Sequence, residues 1–316
     1  MKVLGIFDGR PGGVSELLVK QALIGAKEQG AEVEAVNVRD LDIKPCVNCN
    51  ACHNPFTAAV GKCHIKDDLN WIDEKIMDCD GLVVVMPSYE KAPPGEFKLL
   101  LDRTGPSHDV AFRKMAKEKR LAEPEKYNSD VVDERSFKKR YVTFIGHGGS
   151  EWTQLCLPTM MGWAVSLGLT IADKLLFQWN VGTEFDAERL ALAKKSGAYV
   201  AECCATPEAE HPYIGDPGMC PECHNDVLIV DHKTGELECT VCGLRGKLGV
   251  GADGSVQMVC TEEQRSRSHM RLSGCLIHYN DILGNIGKVM KTDREASKAI
   301  TGPILSAIPT SKPVRE

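Results

Sequence analysis

Gly81–Met86 reads GLVVVM, six uncharged residues centred on three valines, and the pattern on either side of it decides the fold. A run this short, apolar and β-branched suits a strand covered on both faces. Lys2–Phe7 (KVLGIF) and Arg140–Ile145 (RYVTFI) repeat the pattern, and a further strand is expected within Leu169–Trp179. Glu32–Asn37 (EVEAVN) alternates charged and apolar residues instead, as a strand at or near a sheet edge does. Helical periodicity fills the gaps, at Ser15–Gln29, Asp67–Cys79, Glu96–Arg103, Thr153–Leu167 and Asp186–Cys204. Strands separated by helices pair in parallel, because only a crossover returns the chain in the same direction. The expected fold class is α/β, a doubly wound five-stranded parallel sheet of order 2-1-3-4-5. Ligands on such a sheet bind at the carboxyl ends of the strands, near the point where strand order reverses.

Two stretches fall outside that repeat. Residues 106–139 are strongly charged and separate the third helix from the fourth strand; a connection that long is expected to be a lid, a partner contact or a mobile loop. After residue 205, Pro207, Pro212 and Pro217 mark a linker into a Cys-rich module. The expected organisation is a sheet domain at 1–205, a metal module at 206–262, and a helical C-terminal extension and tail at 263–316. The module carries ten acidic and three basic residues, whereas the tail carries nine basic and five acidic.

The chain has 316 residues, 43% hydrophobic and 26% charged, which is ordinary globular composition. No apolar run reaches the ~18–20 residues that span a bilayer. MKVLGIFDGRPGG opens as a strand and lacks the longer apolar stretch of a secretory signal. A cytoplasmic protein is expected. A net charge of −6 opposes nucleic acid and membrane surfaces as partners. Fourteen cysteines in a reducing compartment point to metal ligation rather than disulfides.

Three expected strand ends lead into unusual loops. Asp8-Gly-Arg-Pro-Gly-Gly-Val-Ser-Glu16 precedes a helix, and its glycines let backbone N–H groups turn toward an anion held at that helix N-terminus. Arg10 and Ser15 add side-chain donors, with Gly12, Gly13 and Val14 between them. The spacing matches neither GxGxxG nor the P-loop. Pro87-Ser88-Tyr89-Glu90 begins a proline-rich wall against which a planar ring could rest, and Gly146-His147-Gly148-Gly149 is another run of exposed N–H donors. Such donors would stabilise negative charge left on a flavin by an arriving hydride. His147 reads equally well as an ordinary turn residue.

Two cysteine clusters follow. Cys46-Val-Asn-Cys49-Asn-Ala-Cys52, with Cys63 ten residues further on, could wrap a [4Fe–4S] cluster. A zinc site, a redox-active thiol group and a structural relic are the competing readings. Asp67 and Asp68 suit the first turn of the following helix. Cys220-Pro-Glu-Cys223 and Cys239-Thr-Val-Cys242, fifteen residues apart, suit a four-thiolate ribbon around a Lys233-Thr234-Gly235 turn. Zinc is preferred there over rubredoxin-like iron. Cys79, Cys156, Cys203, Cys204, Cys260 and Cys275 read as buried small apolar residues.

Residues 1–205 resemble the NAD(P)H-dependent FMN reductases and iron–sulfur flavoproteins of the flavodoxin-like superfamily. The likeness rests on the Gly9–Ser15 loop, Pro87-Ser88-Tyr89, Phe97-Lys98, Asp102-Arg103, the Gly146–Ser150 loop and the first cysteine cluster. It implies a flavodoxin-like fold, bound FMN and assembly into homodimers or homotetramers. By position, Arg10, Gly13, Val14 and Ser15 would take the phosphate. Pro87, Ser88 and Tyr89 would flank the isoalloxazine, with Gly146, His147 and Gly148 near its pyrimidine edge. Arg10 and Val14 depart from the Ser and Asn common in the family.

Three functions compete. In the first, NAD(P)H reduces FMN, which reduces a quinone, a flavin or another small-molecule electron acceptor. The flavin carries the chemistry there, so no catalytic side chain is expected. In the second, a ferredoxin-type donor feeds a cluster at Cys46–Cys63 that exchanges electrons with FMN. In the third, a non-catalytic protein binds partners through the zinc ribbon, whose acidic balance opposes nucleic-acid contact. The basic tail (Arg265, Arg267, Arg271) reads as a solvated face or as pairing with an acidic partner subunit.

Overall fold

A computed structural model describes residues 1–53, 61–127, 132–180, 186–311 and 313. Five strands, β1 (Lys2–Phe7), β2 (Glu32–Asn37), β3 (Gly81–Pro87), β4 (Tyr141–His147) and β5 (Thr170–Phe177), form one sheet of order β2-β1-β3-β4-β5. Every neighbouring pair is parallel. Both β3 and β4 are buried along their whole length. Helices α1 (Val14–Glu28) and α6 (Ala187–Ala205) cover one face, packing Leu18, Val19, Ala22, Val200 and Ala201 against Val83, Val85 and Ile145. Helices α2 (Leu69–Asp78), α3 (Gly95–His108) and α5 (Cys156–Leu167) cover the other with Ile72, Phe97, Leu100, Met160 and Trp163. The alternation of strand side chains feeds both cores, which is why β3 reads as an unbroken apolar run.

The charged stretch 106–139 is not a free lid over its described residues. Helix α3 continues through Pro106 to His108, and α4 (Val110–Ala122) follows after the Asp109 cap, whose side chain accepts from the Phe112 amide. Ala111, Phe112 and Ala116 are buried at helical spacing, a stripe that the surrounding lysines and glutamates mask in the sequence. Arg113, 4% exposed, donates from Nε to the Ser107 carbonyl at 2.6 Å and from Nη2 to the Gly61 carbonyl at 3.2 Å.

The Cys-rich module is larger than the expected hairpin. Strands β6 (Leu228–Val230), β7 (Leu237–Cys239), β8 (Arg245–Val250) and β9 (Val256–Val259) form an antiparallel sheet in that order. It docks beside β5, where the Ile214 amide donates to the Ala172 carbonyl at 3.1 Å and Lys174 pairs with Asp226 at 2.5 Å. Arg265 (2.6 Å) and Arg271 (2.9 Å) pair with Glu222 of the first knuckle. Arg265 and Arg271 are therefore paired within the chain rather than standing as a solvated face, whereas Arg267 is exposed. Cys260 and Cys275 are half-buried, whereas Cys79, Cys156, Cys203 and Cys204 are buried as expected.

The chain divides into two units, Met1–Cys275 and Leu276–Glu316. The first closes after the short α7 (Glu262–Arg265), and the second holds most of α8 (Leu272–Met290) and all of α9 (Arg294–Ala307), which carries Pro303 inside it. Asp293 caps α9 by accepting from the Glu295 and Ala296 amides.

Candidate cofactor site and metal centre

The register sets Pro87, His147 and Phe177 side by side at the carboxyl ends of β3, β4 and β5. Backbone bonds lace the loops beyond them. The Ser88 amide donates to the His147 carbonyl (2.7 Å), Gly148 to Phe177 (2.9 Å), Asn180 to Gly148 (3.1 Å) and Leu155 to Lys91 (2.9 Å). The first loop lies on the same edge, because β1 pairs with β3 through Phe7 and Val85.

That first loop presents backbone donors at a helix N-terminus. Gly12 takes the left-handed φ of +70°, and the Gly13 amide donates to the Arg10 carbonyl at 3.0 Å, a turn that feeds straight into α1. Gly13 is the N-cap, and no side chain caps the helix, so the amides of its first turn stay open to an incoming acceptor. Ser15, 3% exposed, sets its Oγ 2.8 Å from His147 Nε2. A phosphate monoester needs this donor set, and these residues fit one. Glu16 lies close by, tied to the Gly12 amide (2.6 Å) and to Lys20 (2.5 Å).

The ring-side residues divide by burial. Pro87, Gly146 and Gly148 are buried, Ser88 is half-buried, and Tyr89, Glu90 and Gly149 are exposed. A Cβ on Gly146 would stand 3.2 Å from Cys156 Sγ, and one on Gly148 would stand 2.5 Å from Thr153 Cγ2. The second glycine thus lets its loop fold down against Thr153, ahead of α5. His147 turns inward rather than lining a surface turn: it is 5% exposed, and burial pushes its imidazole down to about 4, so it is neutral at neutral pH. Its Nδ1 faces Asn180 Nδ2 at 2.5 Å. Asp8, fully buried at the end of β1, pairs with Arg39 at 3.0 Å.

Cys46, Cys49, Cys52 and Cys63 line one cavity of about 90 Å³ together with His64 and Arg103. Burial, and then the neighbouring Cys63, Cys49 and Cys46 thiols, pushes Cys52 up to about 11. Arg103 Nη2 donates to Cys63 Sγ at 3.2 Å, and Nη1 pairs with Asp67 at 2.7 Å. Asp67 and Arg103 are almost wholly buried, so Asp67 anchors this loop as well as accepting from the Leu69 amide at the start of α2. The preceding residues 54–60 lie outside the described ones.

Cys220, Cys223, Cys239 and Cys242 are all buried, and their sulfurs lie within 4.8 Å of one another. Cys220 Sγ is 3.6 Å from Cys242 Sγ, and Cys223 Sγ is 3.5 Å from Cys239 Sγ. A tetrahedral ion with ligands at ~2.3 Å sets sulfurs roughly 3.8 Å apart, so the four thiols fit one metal. Asn225 Nδ2 donates to Cys239 Sγ at 3.6 Å, an outer contact of the kind that orients a thiolate ligand. Among the described residues this is the one group drawn together closely enough for a single ion.

Residues 1–155 match the family described as NADPH-dependent FMN reductase. The flavone synthase cfoJ of Aspergillus candidus is 31% identical over 297 residues, covering 89% of this chain and 88% of that protein. The chain belongs to the NADPH-dependent FMN reductase family. A solved flavone reductase superposes on this chain with a TM-score of 0.85 at 30% identity, over 99% of this chain and 100% of the other. An iron–sulfur flavoprotein of Methanocaldococcus jannaschii is 37% identical over 107 residues, 34% of this chain and 53% of that protein. The protein is an oxidoreductase with a flavodoxin-like core, and no helix among its described residues is long and apolar enough to cross a membrane.

Sequence reasoning passed over several residues of the site. Asn180 follows the fifth strand, whose carboxyl end opens on the same edge as the three loops singled out, and that position alone was a usable signal. Trp152 and Trp179 are exposed at 57% and 62% on these loops. Nothing in their local sequence separates them from the buried Trp163.

Proposed function

We propose that this protein transfers a hydride from NAD(P)H, by way of bound FMN, to a conjugated double bond of a flavone-type aromatic ketone. The observation that carries this reading is the full-length similarity to a flavone reductase, together with that to a flavone synthase. One name has a flavone as substrate and the other as product, so both concern the same carbon–carbon bond. Bound FMN would supply hydride transfer between the nicotinamide and the electron-poor β-carbon of the enone, with water as the source of the proton on the α-carbon. Arg10, Gly12, Gly13, Val14 and Ser15 hold the phosphate in this reading. Pro87, Ser88, Tyr89 and Glu90 border the ring, with Gly146, His147, Gly148 and Gly149 on the β4 side.

The surrounding aromatics supply the acceptor's seat. Tyr89, Trp152 and Trp179 are all more than half exposed. Trp179 has a φ of 54°, and Glu90 and Lys91 have φ of 48° and 74°. Backbone held in the left-handed region by such residues costs on the order of 1 kcal/mol each, and strain of this kind collects at binding sites. Lys91 Nζ stands 5.0 Å from the centre of the Trp152 ring, fixing one indole. Flat exposed rings on braced loops suit a flat polycyclic ketone and shed water from it.

A Trp152→Ala/Trp179→Ala double variant should raise the KM for flavone by roughly tenfold per ring. Reduction of ferricyanide, which needs no stacking, should stay within about twofold. Steady-state kinetics with both acceptors checks this. A wild-type enzyme that oxidises NAD(P)H with ferricyanide but leaves every flavone untouched would overturn the substrate class.

A second reading keeps the first cysteine cluster redox-active. Four cysteines around one cavity, with Arg103 donating to Cys63, favour a [4Fe–4S] cluster fed by a ferredoxin-type donor. A cubane spreads its thiolates more widely than a single ion does. Protein purified without oxygen should then contain about four iron and four acid-labile sulfide per chain, both lost in Cys46→Ser/Cys49→Ser. Zinc alone, or no iron, removes this reading. We further infer zinc at Cys220, Cys223, Cys239 and Cys242, where it would serve structure rather than electron transfer.

A further inference from the structure

We propose that His147 is a positioning residue: Asn180 holds it in the Nε2-protonated tautomer, and it turns the Ser15 hydroxyl proton outward to a phosphate monoester. This rests on the FMN reading of the first loop.

The three side chains form a line from the β5 end to the first turn of α1. Asn180 Nδ2 lies 2.5 Å from His147 Nδ1, and His147 Nε2 lies 2.8 Å from Ser15 Oγ. An amide nitrogen can only donate, so Nδ1 must accept. A neutral imidazole carries one N–H, which then sits on Nε2 and donates to Ser15 Oγ. Burial holds the ring in that neutral form, well below neutral pH. The hydroxyl has one proton, and with its lone pair already engaged that proton is free to point away.

The direction matters because a phosphate monoester offers acceptors alone. In the opposite tautomer Ser15 would spend its proton on Nε2 and turn lone pairs toward the anion, so a donor would become a repulsive contact. The uncapped amides of α1 cannot make that reversal, since backbone N–H groups have no second state. Ser15 is the group in the cradle whose donor sense depends on its neighbours, and two distant loops fix it.

The test begins with the full-length protein stripped of FMN and labelled with ¹⁵N. Long-range ¹H–¹⁵N correlation should show His147 with protonated Nε2 and bare Nδ1. In Asn180→Asp the carboxylate must accept from Nδ1, flipping the tautomer. FMN titrated into that protein should bind about tenfold more weakly or worse. His147→Gln, whose side-chain amide can still donate to Ser15, should keep FMN affinity within about threefold of wild type, whereas His147→Leu should lose it as Asn180→Asp does. A wild-type spectrum with protonated Nδ1 overturns the proposal. So does a flipped Asn180→Asp protein that binds FMN normally. If Asn180→Asp fails to fold, as circular dichroism would reveal, the wild-type tautomer and the Gln-against-Leu comparison still decide. Wild-type protein with the Nε2 proton that takes up no FMN overturns the cofactor reading itself, and this role with it.

Discussion

A Gly13→Asp/Ser15→Glu double variant should lose FMN altogether, emerging from purification colourless and failing to take up FMN supplied in excess. The physical grounds are threefold. Two carboxylates would stand where a phosphate dianion meets the open amides of α1, and each like-charge contact at 4 Å costs about 4 kcal/mol at an effective dielectric of 20. The new side chain at 13 also has little room, because its Cβ would stand 2.9 Å from the Arg10 carbonyl oxygen. Replacement of Ser15 further removes the hydroxyl that faces His147. Together these predict a Kd raised by at least roughly a thousandfold. Ser15→Ala alone should cost about tenfold, one hydrogen bond to a charged group. Fluorescence titration of free FMN measures both. A folded double variant that retains stoichiometric flavin would remove the phosphate loop from the site.

The second large effect is expected at the ribbon. Cys220→Ser/Cys223→Ser should release about one metal equivalent per chain and open residues 206–275 to protease, while the flavodoxin-like core stays intact. Strands β6 to β9 are three to six residues long, and many of their side chains face water. The four cysteines are among the module's most deeply buried groups, with Leu244, Asn225 and Met258. Structural zinc contributes about 10–16 kcal/mol in small domains at neutral pH, more than such a core can replace. Loss should spread further, because Glu222 lies between the replaced cysteines and holds Arg265 and Arg271, and the His269 amide donates to the Cys242 carbonyl at 2.9 Å. Metal analysis with limited proteolysis reads both. Unchanged metal content, or a ribbon that resists protease once the metal is gone, contradicts the assignment.

Much of the fold was legible because each element announces itself locally. Gly81–Met86 carries its burial in its composition, and Glu32–Asn37 carries its edge position in its alternation; the sheet order confirms both. The two CxxC knuckles were equally readable, because four thiolates on two tight turns have few other uses. The masked parts were those where a few buried groups hide among charges. In α4 the buried Arg113 looks in sequence like every other basic residue of residues 106–139, and only packing against Ser107 and Gly61 distinguishes it. Arg265 and Arg271 were misread for the same reason, since their pairing with Glu222 spans more than forty residues of chain.

Local sequence determined the strands, their parallel arrangement, the glycine turn ahead of α1 and the paired CxxC turns of the ribbon, because each element is set by backbone preference and by residue types close in the chain. Tertiary structure alone decided that Ser15, His147 and Asn180, drawn from beyond or at the ends of β1, β4 and β5, share one hydrogen-bonded line, and that Trp152 and Trp179 stay in water while Trp163 is buried. Those outcomes depend on strand register and loop closure, and contacts between segments so far apart leave no trace in any single stretch of the chain.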